Sequence, residues 1–255
     1  MATEGRKGEV VVGLPARGAA DRIAGAIDRF VAWMARHWLA IFNSIVALFV
    51  LVPFLAPVLM RLGSAKGCAA CTAAGRAIYI LYSPTCHQLP ERSYFLFGSQ
   101  ATYTVGELEA SGVVPAGLNI LQRQMLRIAG AADVGYKVAL CERDVAIFGS
   151  LLLGGLVFGL ARGILHRRGR EVPRLPIWAY LVALAPMVID GVTQLLGLRE
   201  SSWILRTVTG MLFGLATVWL AYPFVQEAMA DVSRLGPAGS ARRDPKTGQN
   251  PPHML

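Results

Sequence analysis

Between Trp38 and Met60 the chain carries no charged residue at all. A helix needs about 20 mostly apolar residues to cross the hydrocarbon core of a bilayer. In that medium only helices and closed barrels satisfy every backbone polar group. Pro53 and Pro57 fall inside the run, which a spanning helix tolerates when neighbours satisfy the freed carbonyls. Three further apolar runs follow, at about Val145–Leu165, Leu175–Leu196 and Trp203–Val225. The expected fold is therefore an all-α membrane protein, a bundle of about four transmembrane helices. Composition agrees, with 54% hydrophobic and 16% charged residues where soluble domains carry about 25% charge.

The distribution of arginine predicts how the bundle is oriented. Arg162, Arg167, Arg168, Arg170 and Arg174 crowd the connection between the second and third runs, so that loop is expected to be cytoplasmic. Alternation then puts both termini in the cytoplasm of a multi-pass cell-membrane protein. The long segment 61–143 becomes a small extracytoplasmic helical cap, with helical runs near Ala74–Tyr82 and after Pro115. The remaining organisation is a cytoplasmic segment 1–37, a membrane domain 38–225 and a flexible cytoplasmic tail 226–255. Residues 1–21 read as disordered. Asp21–His37 carries Ile23, Ile27, Phe30, Val31 and Met34 at helical spacing. It is either an amphipathic helix on the membrane surface or an extension of the first span. No cleavable signal peptide is expected, because the first apolar run starts too late. The net charge of +9 is explained by these loop arginines. No basic patch is interleaved with stacking aromatics, so the lipid bilayer and not nucleic acid is the expected partner.

All four cysteines, Cys68, Cys71, Cys86 and Cys141, fall in the cap segment. Cys68-Ala-Ala-Cys71 has the spacing of redox pairs and of zinc sites, and an oxidising compartment equally allows a structural disulfide. Cys86 and His87 are ligands suited to zinc, and Cys141 and Asp144 stand at the mouth of the second span. A Cys86–Cys141 disulfide clamping the cap is the alternative. Asp190, inside the third span, costs about 2.5–3.5 kcal/mol to insert, which marks it as functional or as the partner of Arg143 or Arg206. Gln194 lies one turn further along the same face. Gly155, Gly159 and Gly163, and likewise Gly210 and Gly214, make small faces for close helix packing or for a homo-oligomer.

Three ordered motifs carry a resemblance: Cys-His-Gln-x-Pro-Glu-Arg-Ser at 86–93, Cys-x-Arg-Asp at 141–144, and Asp-Gly-x-x-Gln at 190–194 with Arg-Glu-Ser at 199–201. Together they resemble a family of prokaryotic predicted membrane proteins, domain of unknown function 2085, over roughly Ile78 to Phe213. The resemblance implies a small multi-helix membrane domain. In it Cys86, His87, Arg92, Cys141, Arg143, Asp190, Gln194, Arg199 and Glu200 occupy the motif positions. It brings no mechanism with it and gives Cys68 and Cys71 no role.

The leading expectation is an extracytoplasmic transition-metal site, with zinc the first choice. Cys86, His87 and Cys141 would be ligands, and Asp144, Asp190 or Glu200 a fourth ligand or a supporting carboxylate. Arg92, Arg143, Arg199 and Arg206 would pair with those acids or bind an anion. A second reading resembles the quinone-coupled disulfide-generating membrane proteins. There Cys68/Cys71 and Cys86/Cys141 exchange disulfides, with a quinone near Asp190 and Gln194. A third is a disulfide-stapled scaffold subunit. Whether the chain is an enzyme stays open on these residues.

Overall fold

The computed structural model describes residues 18–196 and 198–235. Most of the terminal segments expected to be flexible, at 1–21 and after Gln226, therefore lies outside the described residues. Helix α1 runs from Ala19 to Lys66, at 1.5 Å per residue about 72 Å. The amphipathic stretch before His37 is thus part of the same helix as the first span. At the other end, α7 (Trp203–Leu235) continues ten residues past the boundary expected at Val225. Between them lie α2 (Ala69–Tyr82), α3 (Val105–Ala110), α4 (Ile120–Leu126), α5 (Glu142–Arg167) and α6 (Ile177–Leu195). The described residues divide into two compact units: those of 18–37 group with those of 228–235, and Trp38–Glu227 form the unit that holds the site.

Four of the described helices, α1, α5, α6 and α7, are long and apolar enough to cross a membrane. Their surfaces say the same. Leu48, Leu55, Leu156, Leu160, Leu181 and Val208 are all more than half exposed, as helices facing lipid rather than water require. Glycine sets the closest approaches. A Cβ on Gly214 of α7 would lie 2.6 Å from the Ile147 carbonyl oxygen of α5, and one on Gly210 would lie 2.9 Å from the Arg143 carbonyl oxygen. On its other side α5 meets α1, where Gly155 accommodates Asn43 and Gly159 faces Leu39. Gly163 has open space where its Cβ would be.

The cap is not wholly helical. It holds a three-stranded antiparallel sheet of order β1-β3-β2, from β1 (Ser93–Leu96), β2 (Gly130–Ala131) and β3 (Gly135–Cys141). Ser93 pairs with Cys141 and Phe95 with Lys137, with an irregularity between them. Strand β3 is buried along nearly its whole length, so it lacks the apolar–polar alternation by which a half-buried strand is recognised. It joins two cores. One packs Tyr79 and Tyr82 of α2, Cys86, Ala139 and Leu140 against Ala56 of α1. The other gathers Phe95, Tyr103, Leu108, Val114 and Val134 further out. Since β3 leads without a break into α5, the cap is anchored rigidly to the bundle.

Candidate functional site

The site forms where β3 becomes α5. Cys141 is the N-cap of α5, its sulfur accepting from the Asp144 backbone N–H at 3.4 Å. Three residues of cap-forming spacing therefore bring Asp144 back beside Cys141, whose thiol donates to Asp144 Oδ2 at 3.1 Å. Cys86 arrives from the other direction, on the turn that follows α2. There Gln88 adopts a left-handed backbone, φ 51°, uncommon for a residue with a side chain. Its side chain holds the turn, Nε2 donating to the Tyr79 carbonyl at 2.8 Å. Lys137, 1% exposed, donates from Nζ to the Gln88 carbonyl at 2.7 Å. The turn buries Cys86 and leaves His87 exposed.

Cys86 Sγ accepts two backbone N–H groups, from Cys141 at 3.2 Å and from Gln88 at 3.4 Å. The ligand atoms of Cys86, Cys141 and Asp144 all lie within 4.8 Å of one another. Both cysteines are free thiols, and their titrations are linked. The hydrogen bond with Cys141 draws Cys86 below the ordinary thiol range, and the same contact, with burial, pushes Cys141 up.

The other expected site residues separate into distinct environments. His87 lines one cavity with the sulfurs but lies outside the 4.8 Å donor group, its Nδ1 hydrogen-bonded with Gln124 Nε2 at 2.8 Å. Asp190, 1% exposed, accepts from Arg143 at 2.5 Å, Arg199 at 2.6 Å and the Ser201 hydroxyl at 2.8 Å. Its carboxylate is thereby occupied in tying α5, α6 and the α6–α7 connection together. Arg206 does not pair with Asp190. It donates to Glu142 at 2.6 Å and to the Ser201 carbonyl. Glu200 is exposed at the rim of an outer cavity of about 470 Å³. An inner cavity of about 250 Å³ is lined by Cys86, Cys141, Asp144, Arg92, Arg143 and Arg206, and the two cavities share Arg92, Gln194 and Arg206. Cys68 and Cys71 form a disulfide across the first turn of α2. Sequence reasoning gave no role to Glu142, Gln88 or Lys137, although Gln88 is a motif position and Glu142 stands beside two motif residues at the mouth of a span.

A bundle of apolar helices with a folded cap over one end defines a multi-pass membrane protein. Residues 134–220, from the last turn before β3 to most of α7, match the model of the predicted membrane protein family, domain of unknown function 2085. The resemblance read from the motifs holds over this stretch, which includes Cys141, Asp144 and Asp190 and begins after the Cys86 turn. An uncharacterised protein of Methanocaldococcus jannaschii is 28% identical over 198 residues, covering 76% of this chain and 96% of its own length. No solved structure matches.

Proposed function

We propose that this membrane protein holds a transition metal, with zinc preferred, at Cys86, Cys141 and Asp144 on its extracytoplasmic face. The observation that carries the reading is the meeting of these three donors within 4.8 Å. A tetrahedral zinc with Zn–S distances near 2.3 Å needs its ligand atoms about 3.8 Å apart, so a modest closure suffices. Two backbone N–H groups on Cys86 Sγ favour its thiolate, the form that binds metal. Two thiolates and a carboxylate suit zinc better than magnesium or calcium. The outward placement follows from the five arginines at 162–174, which hold their loop in the cytoplasm. Four crossings return both ends of the chain to that side.

The closeness of the two sulfurs also favours a second reading, a Cys86–Cys141 disulfide that staples the cap or takes part in thiol exchange. Direct relay from Cys68–Cys71 is disfavoured, because the two pairs flank the 14-residue α2, about 21 Å from end to end. Metal content of detergent-purified protein separates the readings. About one zinc per chain, lost in a folded Cys141→Ser variant, is the expected result. A metal-free wild type with Cys86 and Cys141 recovered as a disulfide would replace the metal reading by the second.

A further inference from the structure

Three protein ligands leave a metal with an open position, the arrangement of sites that bind a water or an exogenous ligand. The three donors line the 250 Å³ inner cavity, with His87 also on its wall, a volume several times the roughly 30 Å³ that a water occupies. Of the three arginines lining it, Arg143 is paired with Asp190 and Arg206 with Glu142. Arg92 is different. Its side chain makes no hydrogen bond or ion pair among the described residues, although it is half-buried. Its sequence neighbour Glu91 is taken by Arg123, at 3.0 Å and 3.2 Å. Arg92 directly precedes Ser93, which pairs with Cys141 in the sheet, and it lines the inner cavity together with both sulfurs. Burial and the neighbouring Arg206 and Arg143 pull its pKa down, against the opposing pull of Glu91 and Cys141.

Among the arginines lining the inner cavity, Arg143 is matched by Asp190 and Arg206 by Glu142, which leaves Arg92 as the cation open to an anionic ligand. A carboxylate is a monoanion whose planar pair of oxygens matches the guanidinium fork.

We propose that the cavity binds a small organic carboxylate, one oxygen taking the metal's open position and the group clamped by Arg92. The proposal rests on the metal reading. It makes the site a receptor for a ligand and not merely a structural clasp, with the outer cavity beyond Arg92 and Gln194 receiving the rest of the ligand.

The full-length protein in detergent, loaded with cobalt(II) in place of zinc, reports on both steps through its visible absorption. Cobalt uptake tests the metal site, and a spectral change on adding acetate tests the open position. Wild type is expected to take up cobalt and to respond to acetate. Arg92→Gln should keep its cobalt and its thermal midpoint but bind acetate roughly ten-fold or more weakly, as for loss of a charge-assisted hydrogen bond. Arg92→Lys should recover only part of the affinity, because it restores charge without the fork. No cobalt uptake overturns the metal reading and this proposal together. Uptake without an acetate response, or an acetate affinity unchanged in Arg92→Gln, overturns the carboxylate site alone. A response to inorganic phosphate at least as strong as that to acetate overturns the carboxylate assignment.

Discussion

Glu142 and Arg206 meet at 2.6 Å with only 1% and 10% of their side chains exposed. Replacing one partner of such a pair leaves an uncompensated buried charge, which costs about 3–5 kcal/mol. Glu142→Gln should therefore lower the thermal midpoint of the detergent-purified protein sharply, and adding Arg206→Met should recover part of the loss. If the single substitution is silent, the pair does not hold α5 to α7. Lys137 supplies a pH dependence of known sign. Burial pulls its pKa down to about 7, whereas the unfolded value is about 10.4. Between those values the unfolded chain binds the extra proton, so stability rises with pH across the window. That gain is complete above the unfolded value and lost as the pH falls through 7. Lys137→Met should flatten this slope, measured as unfolding midpoints between pH 6 and about 10.5, the top of the window being the ordinary lysine value. An unchanged slope would mean the ammonium is not desolvated in the fold. The sequence showed Asp190 as an expensive intramembrane charge and named Arg143 as a partner, and the fold pairs them. It offered no such warning for Lys137, since a lysine in a short stretch of mixed residues ordinarily reaches water.

At the scale of elements, the α5–α7 contact depends on the absence of side chains at Gly210 and Gly214. A methyl at Gly214 meets the Ile147 carbonyl oxygen, a backbone atom that cannot swing aside. Gly214→Ala should thus lower the unfolding midpoint, and Gly214→Val should lower it further. Gly163→Ala is the matched control. Its Cβ meets nothing within 4 Å, and alanine favours the helix by about 1 kcal/mol over glycine, so its midpoint should hold or rise. Equal changes at both positions would show that the close approach at Gly214 does not govern the α5–α7 contact. The four spans were legible because lipid imposes a length and a polarity that composition displays directly. The sheet was not legible. β3 is buried on both sides and includes Lys137, so it has neither alternation nor a clean apolar run, and β2 is only two residues long. Cys86 and His87 both line the inner cavity, and the left-handed backbone of Gln88 beside them is a choice that residue types alone do not disclose.

For the whole molecule the decisive quantity is which side of the membrane the cap occupies. On the proposed orientation the arginines at 162–174 keep their loop in the cytoplasm and the cap lies outside, where an oxidising compartment would favour a Cys68–Cys71 disulfide. Two free thiols as close as Cys86 and Cys141 would there be oxidised to a disulfide unless something protects them. Metal ligation does so, because it withdraws the sulfur lone pairs from exchange. Orientation and metal are therefore linked, and one labelling experiment bears on both. Cysteines introduced at the exposed Ser99 of the cap and the exposed Arg170 of the α5–α6 loop are to be probed with a membrane-impermeant maleimide in intact cells, with the parent protein as background. Ser99→Cys should label in intact cells, and Arg170→Cys only after permeabilisation. The reverse pattern would put the cap in the reducing cytoplasm. Free Cys86 and Cys141 would then need no metal to protect them, and the argument for zinc would rest on the 4.8 Å donor cluster alone.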